Sequence, residues 1–141
     1  MIIDMKPSLI VDLGFSKRIL IDEERCISFM GRENMVYATP RMVSDVEYAC
    51  RDYLLGHLDA GEDSVGAHVA IDHLGATPPG TGVTIEARIA KVDKRRVTFE
   101  FSVKDPVEEV GRGIHVRFVV DTAKSRERIA AKRARLSGQI K

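Results

Sequence analysis

Thr39-Pro40-Arg41-Met42-Val43-Ser44-Asp45-Val46-Glu47-Tyr48-Ala49-Cys50, continuing to Leu55, spells out the one long helix of this chain. Thr39 is a good N-cap residue, and Pro40 suits the first helical position, where a missing N–H takes nothing from the ladder. Apolar residues recur at 42, 43, 46, 49, 50, 53 and 54, the spacing of a single buried face. Gly56 follows as the stop. Ser44, Asp45, Arg51 and Asp52 are expected on the opposite, solvated side. At about 100° per residue, Glu47 falls about 20° beyond Leu54, at the rim of the apolar stripe. A carboxylate there is half in the core and half out.

Downstream of the helix the period changes from helical to alternating. After a loop over residues 59–63, the segment from Ser64 to His73 reads as a strand with Ala67, Val69, Ile71 and His73 on one face and His68, Ala70 and Asp72 on the other. Thr77-Pro78-Pro79-Gly80-Thr81-Gly82 breaks the pattern with turn residues. Val83, Ile85, Ala87 and Ile89 then alternate with polar residues, a tight turn is expected around Asp93-Lys94, and Val97, Phe99, Phe101 and Val103 alternate in their turn. These two runs read as a hairpin. Ile114, Val116, Phe118 and Val120 form a further strand, which would leave His115 and Arg117 on its polar face. Upstream, the stretches from Ser8 to Asp12 and from Arg18 to Ile21 are expected as short strands, and the region from Glu23 to Ala38 as loop. The order predicts an α+β fold, one helix packed on a curved antiparallel sheet. Residues 1–123 would form this domain, and residues 124–141 a basic C-terminal helix or tail.

Length and composition narrow the function classes. A chain of 141 residues is about one domain, and 44% hydrophobic with 30% charged residues excludes a disordered or fibrous protein. No apolar run approaches the roughly 18 residues that span a bilayer, so no membrane partner is expected. Met1-Ile2-Ile3-Asp4-Met5-Lys6 does not read as a secretory signal. Cys26 and Cys50 make neither a disulfide framework nor a metal spacing, so the expected location is cytoplasmic, with reduced thiols. Residues 1–121 hold 15 Lys/Arg and 20 Asp/Glu, a net charge of −5, whereas residues 122–141 hold 7 Lys/Arg and one Glu, a net of +6. Such a tail meets anions or is simply a solvated helix.

The chemistry-bearing candidates are few. Glu47 at the core's edge is a candidate general base or nucleophile, and His73 on the apolar face of its strand is a candidate partner. Thr39 sits at a helix start, whose N–H groups and positive potential suit an oxyanion. Thr39 and Glu47 are eight residues apart, about 12 Å along the axis, and do not meet within one straight helix. There is no G-x-S-x-G elbow, no phosphate-binding G-x-x-x-x-G-K-[ST] loop and no histidine pair at metal spacing; no metal and no cofactor are expected. Cys50 reads as buried and inert, Gly111-Arg112-Gly113 as a bulge or strand start, and Arg117 as solvated.

Taken together, Ala38-Thr39-Pro40 running to Glu47-Tyr48-Ala49-Cys50, then Ser64-Val65-Gly66, His73-Leu74-Gly75-Ala76-Thr77-Pro78-Pro79-Gly80 and Glu109-Val110-Gly111-Arg112-Gly113-Ile114-His115-Val116-Arg117, resemble the fluoroacetyl-CoA thioesterase family of hotdog-fold proteins. The likeness runs from about residue 38 to 121. It implies a hotdog fold, an acyl-CoA substrate, and a homodimer with sites near the subunit interface. It also implies that Thr39, Glu47 and His73 are catalytic, with Gly66 near the thioester carbonyl and Arg117 in substrate binding. The segment before Thr39 is shorter than the lid of the fluoroacetyl-specific member, Phe29 is its one phenylalanine counterpart, and Asp45 stands where related sequences tend to be apolar. The expectation is therefore hydrolysis of a small acyl-CoA without selectivity for fluorine. The rival readings are a non-catalytic acyl-CoA-binding module whose tail contacts nucleic acid, and a hotdog enoyl-CoA hydratase. Nucleic acid is not the expected partner.

Overall fold

A computed structural model of the chain describes residues 9–139. Strand β1 (Gly14–Leu20) is followed by two single 3₁₀ turns, then helix α1 (Thr39–Leu55). Strands β2 (Glu62–His73), β3 (Gly82–Asp93), β4 (Arg96–Lys104) and β5 (Glu109–Asp121) follow, and helix α2 (Thr122–Gln139) ends the described chain. The five strands form one antiparallel sheet in the order β1-β3-β4-β5-β2. Both alternating runs behave as their period requires: Val83, Ile85, Ile89, Val97, Phe99 and Val103 are buried against Met42, Val46, Cys50 and Leu54 of α1. The β3–β4 hairpin closes at the pair Asp93 and Arg96, with Lys94 at φ +57°. Phe15 of β1 stacks on Tyr53 of α1, ring centroids 4.8 Å apart, and meets Phe99 edge-on.

The N-terminal expectation is corrected in part. One strand, β1, replaces the two short ones, and residues 9–12 make a turn in which Asp12 adopts φ +75°. Asp12 N–H donates to the Ile89 carbonyl there, so the turn is tied to the sheet edge. Ser8 and the segment from Met1 to Lys6 lie outside the described residues. Thr39 is not the cap of α1. Ala38, with extended backbone, takes that place through its carbonyl, Thr39 is the first helical residue, and no side chain caps the end. Gly56 remains right-handed at φ −65° and needs no glycine-specific conformation.

Asp45 is the clearest correction on the helix. It is buried, not solvated. It lies three residues after Met42 and four before Ala49, so angle places it on the inner face whatever its polarity. The Tyr37 O–H donates to Asp45 Oδ2 at 2.5 Å, and Arg25 donates from Nε and Nη2 to both carboxylate oxygens at 3.0 and 3.3 Å. Burial, then the bond to Asp45, pushes the Tyr37 phenol well above its ordinary pKa. This trio staples the loop before α1 onto the helix. Asp45→Ala leaves the buried Tyr37 phenol without its acceptor and Arg25 with Asp22 alone, a loss of about 1–3 kcal/mol, read as a fall of several degrees in Tm by thermal denaturation.

Strand β5 is turned over relative to its apolar pattern. His115, Arg117 and Val119 face the helix and are buried, while Ile114 and Phe118 are 41% and 38% exposed on the outer face. Gly111 and Gly113 pair with β2 and β4, at His73 and Val103 and at Ile71 and Phe101, and a register shift against β4 falls just before Gly111, where Val103 pairs with Gly111 but Lys104 pairs with Glu109. A second irregularity lies in β2, where register shifts between Gly66 and His68 and moves Ala67 off the face it was expected to share. Helix α2 has no buried residue, and no described helix is long and apolar enough to cross a membrane.

Candidate active site

The inward face of β5 builds one of the two clusters that hold the candidate residues. Arg117 reaches across to β2, donating from Nε to Ser64 Oγ at 2.7 Å and from Nη2 to the Ser64 carbonyl at 2.8 Å. Its Nη1 lies 3.5 Å from the Glu47 carbonyl oxygen and 3.1 Å from His115 Nε2. His115 Nδ1 lies 2.9 Å from the His68 carbonyl, which accepts only, so the proton sits on Nδ1 and Nε2 is left to accept from Arg117. Burial, helped by the charge of Arg117, holds the His115 pKa below its ordinary value and keeps the ring neutral at pH 7. Most of the Arg117 donors are thus spent on β2, β5 and α1. The guanidinium shapes the cleft more than it offers itself to solvent.

Glu47 leans over Gly66. A Cβ built at position 66 would lie 3.1 Å from Glu47 Oε2 and 3.4 Å from His115 Cε1, so glycine leaves the space that the carboxylate occupies. Glu47, Tyr48, Arg51, Gly66 and Arg117 line an open cleft of about 510 Å³. Arg51 grips Asp63 through two hydrogen bonds of 3.0 and 2.6 Å, which lowers the Asp63 pKa.

The second cluster of candidate residues stands at the start of α1. Because Ala38 and not Thr39 caps the helix, the Thr39 hydroxyl is free to meet His73, and Oγ1 lies 2.7 Å from Nδ1. The Tyr37 ring packs edge-on against the imidazole with centroids 6.4 Å apart. Burial lowers the His73 pKa from its ordinary 6.5, opposed by a backbone hydrogen bond at Gly75. With its proton on Nε2, neutral His73 accepts the Thr39 O–H at Nδ1. Thr39, His73, Phe29, Tyr37 and Leu74 line a second cleft of about 490 Å³, over which Phe29 is 80% exposed.

Within one chain, then, Thr39 and His73 come together, and Glu47, Gly66 and Arg117 come together. The two sets do not meet; their clefts share no lining residue. Ser64 and His115 are the residues that sequence reasoning missed, since both depend on knowing that β5 turns its polar side inward. Among the described residues no group of three His, Cys, Asp or Glu gathers to hold a metal.

The family described as FlK, fluoroacetyl-CoA-specific thioesterase, matches residues 21–123. This chain belongs to that family. The fluoroacetyl-CoA thioesterase of Streptantibioticus cattleyicolor is 37% identical over 97 residues, 69% of this chain and 70% of the relative. A solved structure of the fluoroacetyl-CoA thioesterase FlK superposes with a TM-score of 0.80 at 30% identity, covering 88% of this chain and 97% of that one. A hot-dog-like protein from Thermanaerovibrio acidaminovorans superposes at 0.80 with 20% identity, covering 90% and 93%, and speaks for the fold alone. The chain has the hotdog fold that the family resemblance implies, and its helix packed on an antiparallel sheet is what the order of its elements predicts.

Proposed function

We propose that this member of the fluoroacetyl-CoA thioesterase family hydrolyses small acyl-CoA thioesters to free acid and coenzyme A. Its working unit would be a homodimer, each site taking Thr39 and His73 from one copy and Glu47 and Gly66 from the other. One observation carries the second part: the two half-sites flank opposite ends of an unpaired strand edge. β2 is hydrogen-bonded to β5 along one side only, and Val65, Ala67, His68 and Ala70 are exposed. A long free edge invites another strand. Antiparallel pairing of two β2 strands about an axis midway between Val69 and Ala70 would set His73 of one copy opposite Gly66 of the other. That brings the carboxylate, imidazole and hydroxyl into one cleft and answers the separation along α1. Cys26 and Cys50, both free thiols, support a cytoplasmic location.

In the proposed reaction, Glu47 takes a proton from water as its oxygen adds to the thioester carbonyl carbon. The oxyanion is held by backbone N–H groups near Gly66. The C–S bond then breaks, and the proton held on Glu47 leaves with the thiolate. Thiolate is a good leaving group and needs little acid assistance. Thr39, whose hydrogen is given to His73, presents its oxygen lone pairs to the cleft and orients the water. Coenzyme A thioesters from acetyl upward, fluoroacetyl included, test this by release of free thiol. Release from the short members is the expected result, and no release from any would end it. Hydration of an enoyl-CoA without thiol release would assign the site to a hydratase, and binding without either reaction to a non-catalytic module.

The pH dependence has a definite sign. With its pKa below 6.5, His73 is neutral at pH 7 and accepts the Thr39 hydrogen. Protonation removes that acceptor, so kcat/KM falls as pH drops below 6.5, and His73→Gln removes the histidine's share of that acid limb, leaving the share set by Glu47. Stability follows the same direction. The unfolded chain binds protons at His73 and His115 more readily than the folded one, so Tm declines as pH falls from 6.5 through the two folded values.

A further inference from the structure

Helix α2 buries none of its residues, yet one face of it lines a cleft with the start of the β2 strand. Ser125, Arg126, Ile129 and Arg133 line that face, and with Ser64 and Val65 below they enclose a cleft of about 430 Å³. Ser64 and Val65 also line the Glu47 cleft, so the two are adjoining parts of one groove. Arg126 and Arg133 are seven residues apart, two turns, which sets them on the same side about 10 Å from each other. Among the described residues neither forms an ion pair. The carboxylate of the cleft, Asp63, is already neutralised by Arg51 and accepts from the Ser64 N–H at 2.7 Å. Between the arginines, Ile129 is 53% exposed and offers an apolar surface.

We propose that the inner face of α2 is a phosphate subsite, in which Arg126 and Arg133 hold the nucleotide end of the coenzyme A substrate. The inference rests on the acyl-CoA reading above and adds to it the residues that recognise the carrier. Coenzyme A is chemically lopsided: its thioester lies at one end, and its diphosphate and 3′-phosphate lie at the other. A groove with a general-base carboxylate at one end must keep those phosphates away from it, and a pair of unpartnered guanidinium groups at the far end does so. Arginine suits the task because its planar fork meets phosphate oxygens two at a time. Ile129 between them gives the adenine ring a face to lie on. The charge asymmetry of the chain, net +6 over residues 122–141 against −5 over the rest, draws the anionic end of the substrate toward α2.

The test compares two thioesters in the full-length protein: acetyl-CoA, and S-acetylpantetheine, which is the same reactive end without the nucleotide. In the double variant Arg126→Ala/Arg133→Ala, KM for acetyl-CoA should rise about 5- to 30-fold, with kcat held within about twofold. The kinetics of S-acetylpantetheine and the Tm should stay unchanged, and Arg→Lys at both positions should restore part of the lost affinity. Added KCl should raise the wild-type KM for acetyl-CoA and affect the variant much less. Calorimetric titration with free coenzyme A reads the same subsite without turnover: binding should weaken by the same factor in the variant. That separates failure of the subsite from failure of the thioesterase reading, which would show as no thiol from either ester. An unchanged acetyl-CoA KM and coenzyme A affinity, or an equal loss for both thioesters, overturns the proposal. Salt-sensitive retention on DNA, lost in the variant while coenzyme A binding is intact, would do so by assigning the helix to nucleic acid.

Discussion

Glu47→Gln leaves the protein folded and lowers kcat for acyl-CoA hydrolysis by at least about 100-fold, the usual contribution of a positioned general base. Folding should survive because the Arg117 clasp takes the main-chain oxygen of Glu47 and not its carboxylate. The side chain stands over Gly66 with room provided for it, and an amide of the same shape fits that space. His73→Ala should be similarly inactive, since Thr39 then has no acceptor for its hydrogen. The decisive measurement mixes the two inactive variants by co-refolding. If each site takes His73 from one copy and Glu47 from the other, a heterodimer contains one intact site and one doubly damaged site. Random pairing makes half the dimers heterodimers, so about a quarter of wild-type activity returns. A site built within one chain would recover nothing, because every site would carry one defect. Full activity in Glu47→Gln alone would remove the carboxylate from the reaction altogether.

That the two half-sites stand apart in one chain explains which parts of this protein are readable from sequence. The β3–β4 hairpin and the buried stripe of α1 are set by local period and by burial against one another, and both were legible. Asp45 was misjudged because residue type was weighed above helical angle, and a buried carboxylate is tolerable only with partners as distant in sequence as Arg25 and Tyr37. β5 was misjudged for a related reason. Alternation identifies two faces but not which one meets the helix, and an apolar outer face (Ile114, Phe118) beside an inner His115 and Arg117 inverts the usual assumption. The inward arginine is stable because Ser64, 53 positions away, accepts two of its hydrogen bonds. Thr39, Glu47 and His73 were all picked out from the chain, yet within one chain Glu47 stands apart from the other two, and the proposed pairing that would unite them involves two chains.

Gly113→Ala should damage the fold more than any other single-methyl addition in β5, with a loss above about 3 kcal/mol where ordinary overpacking costs about 1–3 kcal/mol. A Cβ at position 113 would collide with the Ala70 carbonyl oxygen and lie 2.9 Å from its carbon and 3.0 Å from the Ile71 Cα, all backbone of β2. No rotamer change relieves that contact; β2 must move away from β5. Gly111→Ala is the control. There the nearest atom is Met42 Sδ at 2.5 Å, the far end of a flexible side chain that can swing aside, so the loss should stay within the ordinary range. Urea titration of the two variants against wild type gives the comparison. The displaced strand matters for chemistry as well, because Gly113 pairs with Ile71 two residues before His73, and the other edge of β2 is the one the proposed dimer would pair. Gly113→Ala should therefore lose activity and shift toward monomer on size-exclusion chromatography, whereas Gly111→Ala keeps both. Equal stability in the two variants would mean that the close approach of β2 to β5 at Gly113 is not what holds this edge of the sheet in place.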